Sequence, residues 1–274
     1  MPVVTPLLIV ITLGLGAAAG LLGTLLGLGG GVFLVPFLVL VVGIPFQIAV
    51  AVSLTTVIAT SSAVSAATAG KGLINLRLGM VLEVATAAGG LAGGLTAYML
   101  SPRTLQMLFA VVTGAIAVVT IARLSHAEPV GGSDPGPLGG RYRDECLGEA
   151  VTYRVERLPV AVLASLVAGN VSTLLGLGGG IIKVPVLNTW CGVPMRAAAA
   201  TSAFMIGVTA TSGAVIYYGR GDLIPELAAA AVLGVQVGSA GGLRLGARLR
   251  PKTLRVLMAI VLLGVAVSMV ARST

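Results

Sequence analysis

The sequence predicts an all-α polytopic membrane protein made of two inverted-topology repeats, each of about five membrane segments and each containing a short, broken helix led by a glycine-rich motif. Three observations predict it. The chain is 57% hydrophobic and 9% charged with a mean hydropathy of +1.05, a balance that excludes a soluble globule. Residues 20–38 read GLLGTLLGLGGGVFLVPFL and residues 169–187 read GNVSTLLGLGGGIIKVPVL, identical at 12 of 19 positions. The same offset of 149 places Pro45 on Pro194, Ser53 on Ser202 and Pro102-Arg103-Thr104-Leu105 on Pro251-Lys252-Thr253-Leu254, so the chain is a duplicated unit. The third observation is where the cations fall.

Apolar segments near 6–26, 45–69, 76–100 and 104–124 each reach the ~20 residues that a spanning helix requires. They recur near 158–175, 194–217, 225–246 and 253–271. Each repeat also has a shorter apolar piece, 31–43 and 180–192, just after its glycines. As helix each would span ~20 Å at ~1.5 Å per residue, too little to cross a ~30 Å hydrocarbon core alone. If these pieces only dip in and return, each unit crosses four times and the cations divide almost evenly between the two sides. If each completes a crossing with its glycines, there are five crossings per unit. With the N-terminus outside, 13 Lys/Arg then fall on the cytoplasmic side, three lie outside (Arg103, Arg220 and Arg272), and Lys183 lies in the membrane. The positive-inside rule selects five plus five, which makes the two units inverted.

Repeat one therefore covers 1–124, a cytoplasmic linker 125–157, and repeat two 158–274, with both termini outside. The linker holds Gly131-Gly132-Ser133-Asp134-Pro135 and most of the acids, and its composition reads as a solvated connector. The first segment lacks a basic leader and a cleavage pattern, so it reads as a retained span. Small-residue spacings such as Gly16/Gly20, Gly23/Gly27, Gly89/Gly93 and Gly238/Gly242 predict close helix packing and leave faces on which a homodimer could form. The net charge of +8 is scattered between apolar segments and reports topology, so no nucleic-acid partner is expected. Cys146 and Cys191 have no metal-type neighbours in sequence, and His126 is the only histidine. No metal, cofactor or disulfide is expected. The spans also lack a nucleophile–base pair, so an enzyme is not expected either.

The glycine motifs concentrate the candidate chemistry. In the inverted reading, Gly29-Gly30-Gly31 and Gly178-Gly179-Gly180 each start a short helix near the midplane, from opposite faces. Helix N-termini favour an anion, and glycine lets the backbone approach it. Such broken helices are a common transporter construction. Lys183 is a cation within an apolar segment, which either marks a substrate path or snorkels to an interface. Thr24, Ser53, Thr56, Asn170, Thr173, Thr201 and Ser202 flank the motifs, either as oxyanion ligands or as polar groups bonded to their own helix backbone. Glu83, the only acid well inside a span, either carries a proton or sits near the cytoplasmic end two turns from Arg77. Arg196 reads as an interfacial anchor.

The doubled Gly-x-Gly-Gly-Gly-(x)4-Pro pattern (Gly27 to Pro36, Gly176 to Pro185) with Ala200-Thr201-Ser202 downstream resembles the sulfite exporter TauE/SafE family of membrane permeases. The resemblance covers nearly the whole chain outside the linker. It implies secondary transport of small sulfur-containing anions such as sulfite, sulfoacetate or related organosulfonates, generally outward across the bacterial inner membrane. Repeat one departs from the pattern with Ala51-Val52-Ser53. An importer of organic acids or sulfonates with the same site run inward is the alternative, and a non-transport membrane scaffold is a more distant one.

Overall fold

The computed structural model describes residues 5–26, 30–70, 72–122, 135–143, 150–246 and 260–269. Gly29, Lys71, His126, Cys146, Arg272 and the basic cluster from Arg248 to Arg255 lie outside these residues, so expectations placed on them carry no structural account. The elements are α1 (Pro6–Leu26), α2 (Gly31–Phe37) continued by a π-helical turn (Leu38–Val42), α3 (Phe46–Thr68), α4 (Leu76–Ala97) and α5 (Pro102–Ala122). A hairpin of β1 (Gly140–Arg143) and β2 (Ala150–Tyr153) follows. The second set is α6 (Leu158–Leu175), α7 (Gly180–Thr189), α8 (Met195–Gly219), α9 (Pro225–Gly246) and α10 (Ile260–Met269). Among the described residues α1, α3, α4, α6 and α8 are each long and apolar enough to cross a membrane unaided, so the protein is a multi-pass, all-α membrane protein.

The two halves interleave. α1 packs along α9, α6 along α4, and α3 against α8. Under the 149-residue offset α1 corresponds to α6, α4 to α9 and α3 to α8, so the first two pairings are one contact used twice. Glycine makes both possible. A Cβ at Gly16 would lie 2.7 Å from the Ala231 carbonyl oxygen, and one at Gly93 would lie 2.9 Å from Asn170 Cα. Of the small-residue spacings read from the sequence, Gly16/Gly20, Gly89/Gly93 and Gly238/Gly242 are thus seams between the halves, while Gly27 lies outside the described residues.

Helix direction follows from the registers. Gly79 meets Thr201 and Met205, Gly90 meets Ser212, and Gly94 meets Ile216, so α4 and α8 run the same way. Gly169 meets Thr86 and Gly90, and Gly93 meets Asn170, so α6 shares that sense. Because α6 and α8 are parallel, the chain between them has to return, and α7 brings it back. Gly192 at its far end meets the carbonyl of Arg154, and the Glu156 amide donates to Cys191 O (3.0 Å). The starts of α4, α6 and α8 and the end of α7 therefore share one end of the bundle with the hairpin.

The linker carries more structure than its composition predicts. Tyr142 and Tyr153 are buried and pack with Leu78, Ala197 and Cys191. Asn75 fastens the hairpin to the start of α4. Its Oδ1 accepts the Leu78 amide (3.0 Å) as a helix cap, while Nδ2 donates to Leu138 O (2.8 Å) and Tyr153 Oη (3.2 Å). Burial raises the Tyr153 phenol above its ordinary value, against a lowering by the Asn75 bond.

Candidate functional site

The two glycine motifs touch at mid-height. Gly31 lies against Gly176, where an added Cβ would sit 2.5 Å from the carbonyl oxygen. Ser53 Oγ stands between them, 2.8 Å from Gly176 O and 3.3 Å from Gly31 O, and donates its one proton across the junction between the halves. Gly178 packs on Val57 and Ile206, each the twelfth residue of its helix (α3 and α8), so the motif is far from either end of both. Gly176, Gly178 and Gly179 take φ of 72°, 81° and 67°, left-handed values that side chains resist. Gly30, the residue before α2, is right-handed, so the two motifs differ in backbone as well as in sequence.

The amides are more committed than the glycine-motif argument expects. The Gly180 amide donates to Gly178 O (2.8 Å), and those of Ile182 and Lys183 to Gly179 O (3.3 Å each). Polar capacity at this turn resides in hydroxyls instead. Ser172 Oγ and Ser202 Oγ are buried without a hydrogen-bond partner; Ser172 borders Gly179 and Ser202 borders Gly180. A buried hydroxyl without a partner is costly, and a ligand that accepts from it removes the cost.

A cavity of about 320 Å³ reaches this turn. Gly180, Ser202 and Ile206 form its deep end. Thr24, Thr60 and Ser61 line its flank, and Thr68, Leu73 and Arg196 lie toward the hairpin end of the bundle. Arg196 thus borders the cavity as well as standing at the start of α8.

Lys183 points elsewhere. It is 1% exposed, which removes the snorkelling alternative. Its Nζ lies 3.4 Å from Thr209 Oγ1 on α8 and 3.5 Å from Thr86 Oγ1 on α4. Thr209 Oγ1 in turn is 3.0 Å from Glu83 Oε1, while Glu83 Oε2 is buried and unpartnered. Lysine, threonine and glutamate thus form one chain between α7, α8 and α4. Gly180 and Val184, on the same short helix as Lys183, line the cavity, so the helix that carries the lysine forms part of the cavity wall.

The remaining candidates disperse. Thr56 Oγ1 donates to Ser53 O (2.7 Å), a bond to its own helix. Thr201 Oγ1 accepts the Asn75 amide (2.9 Å) and holds the loop before α4. Asn170 packs its backbone on Gly93, and Thr173 Oγ1 is buried without a partner between Gly90 and Gly213. Thr86, Thr209, Thr60 and Ser61 were not singled out from the sequence. One signal does find part of the cluster: Lys183, Glu83 and Thr86 fall on Leu34, Val232 and Val235 in the other repeat, so polar replaces apolar at all three.

A bundle of interleaved halves, with broken helices meeting at mid-height beside a largely apolar cavity dotted with hydroxyls and a buried lysine, is the construction of a membrane transporter. The chain belongs to the sulfite exporter TauE/SafE family, whose match spans residues 12–269. It is 26% identical over 261 residues to the probable membrane transporter protein YunE of Bacillus subtilis, covering 93% of this chain and 94% of that one. It is 25% identical over 272 residues to a probable membrane transporter protein of Methanocaldococcus jannaschii, covering 94% and 92%. These names point to a transporter rather than an enzyme. No solved structure matches the chain.

Proposed function

We propose that the protein is a secondary transporter that exports small sulfur-containing anions, sulfite, sulfoacetate or a related organosulfonate, by alternating access across the bacterial inner membrane. The observation that carries this reading is the cavity lined by Gly180 and Ser202, where the buried Ser202 hydroxyl awaits an acceptor and the helix that forms part of the wall carries the buried Lys183. An anion with several oxygens accepts from Ser202 and gains from the positive end of α7, a helix of 10 residues. The parallel sense of α4, α6 and α8 supports five crossings per half and hence inverted repeats. Arg77, Arg141, Arg143, Arg154, Arg157 and Arg196 gather at or beside the hairpin end, which by the positive-inside rule faces the cytoplasm, with both termini outside. The cavity thus loads from the cell interior. Export of an anion from a negative interior gains about 2.3 kcal/mol per charge per 100 mV.

The test is reconstitution into liposomes after a thermal-shift screen against sulfite, sulfoacetate, thiosulfate and sulfate. Lys183→Ala is expected to reduce efflux at least tenfold while the protein still elutes as a folded species. Undiminished efflux would remove Lys183 from the mechanism.

A further inference from the structure

We infer that Glu83, Thr209 and Lys183 form a proton site that couples anion binding to proton uptake, so that the anion and a proton cross together. This rests on the anion site proposed above and adds the means of its coupling. The internal duplication supplies the first argument. At the corresponding positions repeat one has Thr60 for Thr209 and Leu34 for Lys183, while repeat two has Val232 for Glu83. Leu34 is buried, like Lys183, so the fold accepts an apolar side chain there. The cation and the acid therefore enter as a pair on one side of a near-symmetric scaffold, with a hydroxyl already in place between them. A buried ionisable pair that the architecture does not need marks function in a membrane.

The geometry supplies the second argument. Thr209 Oγ1 accepts from the Lys183 ammonium and shares its one proton between Glu83 Oε1 (3.0 Å) and the Met205 carbonyl of its own helix (3.1 Å), so one hydroxyl links both charges. Glu83 Oε2 has no partner, which leaves one carboxylate oxygen open to a proton. The surroundings hold no competing acid. On the four elements around the cluster the other titratable groups are Arg77 on α4 and Arg196, Tyr217 and Tyr218 on α8, while α6 has none. Arg77 and Arg196 stand within the first turn of their helices at the hairpin end, and the tyrosines stand in the last turn of α8. Lys183 is thus the cation bonded to the hydroxyl that Glu83 shares.

The sign of the coupling follows. Without substrate, ammonium and carboxylate balance. An anion at Gly180 and Ser202 adds a negative charge one helix wall away, drawing on the same ammonium and raising the proton affinity of Glu83. By linkage, a proton on Glu83 raises the affinity for the anion to the same extent. The proton comes from water and remains on Oε2 while the anion is bound. The pair then moves in one direction, which is symport; a proton carried outward cancels one charge of the anion, so a divalent anion leaves with a net charge of −1 and gains from the potential as a single charge.

Isothermal titration of the purified protein with sulfite, sulfoacetate and thiosulfate, in buffers of different ionisation enthalpy, tests this. Wild type is expected to take up about one proton per anion on the alkaline side of the Glu83 titration, its Kd rising about tenfold per pH unit there. Glu83→Gln is expected to bind the anion with no uptake by the protein and a flat pH profile; it also serves as the reference for sulfite's own protonation. Glu83→Val, the residue that repeat two has at this position, serves if the glutamine variant does not fold. Wild-type binding without proton uptake, or an unchanged pH slope in the folded variant, overturns the coupling while leaving the anion site standing. Absence of binding by all three anions overturns the site itself and the coupling with it.

Discussion

Lys183 and Glu83 offer a stability measurement that needs no substrate. The Lys183–Thr209 and Thr209–Glu83 distances, 3.4 and 3.0 Å, put the ammonium no more than 6.4 Å from Glu83 Oε1. At the effective dielectric constant of about 20 that suits buried pairs, two unit charges at that separation attract by about 2.6 kcal/mol. Lys183→Leu leaves a carboxylate with one oxygen already unpartnered, and Glu83→Val leaves an ammonium 1% exposed, so each single change costs roughly 3–5 kcal/mol. The double variant places at each site the residue of the other repeat, Leu34 and Val232, and is expected to recover about 2.6 kcal/mol relative to the sum of the singles. Reversible unfolding in mixed detergent micelles at neutral pH, run as a double-mutant cycle, measures the coupling. At acid pH the coupling is expected to shrink as the carboxylate takes up a proton. Additive effects at neutral pH, within the ~0.5 kcal/mol typical of independent sites, would refute the charge pair.

Gly93→Val places a side chain against the Asn170 backbone at the α4–α6 seam and is expected to destabilise by at least the roughly 1–3 kcal/mol of an overpacked core, read as a lower melting temperature in detergent. Asn75→Ala removes a helix cap and both bonds to the hairpin region, for about 2–3 kcal/mol in all, and should make residues 135–153 the first site of limited proteolysis. The hairpin should also loosen at alkaline pH. The Tyr153 phenol has its folded value raised above 10.0, so its contribution is complete below pH 10.0 and is lost as the pH rises through the folded value, which tyrosinate absorbance follows.

Much of the helical layout was legible because the bilayer leaves few alternatives: an apolar run of about 20 residues has to satisfy its own backbone, and helix is how it does so. Thus α1, α6 and α9 occupy the ranges the sequence predicts, and Pro45 and Pro194 stand immediately before α3 and α8. The contact between the glycine motifs was legible as an approach and less so in its chemistry. Which amides stay open depends on backbone turns such as the Gly178–Gly180 bond, and sequence does not specify these. Thr201 and Thr56 look like Ser202 on paper. Only the packed structure separates the hydroxyl that binds a loop amide from the one bonded to its own helix and the one left unpartnered beside a cavity. The hairpin was missed because a polar, Gly/Pro-rich composition hides two tyrosines that need a partner surface before they bury.

The seam between α1 and α9 sets a condition on biogenesis. Gly16 is translated and inserted long before its neighbour Ala231 exists, so α1 has to remain in lipid with its small-residue stripe uncovered until nearly the whole chain has emerged. Neither half can complete itself in isolation. If the two are expressed as separate fragments, each should be short-lived alone and rescued by the other in the same membrane.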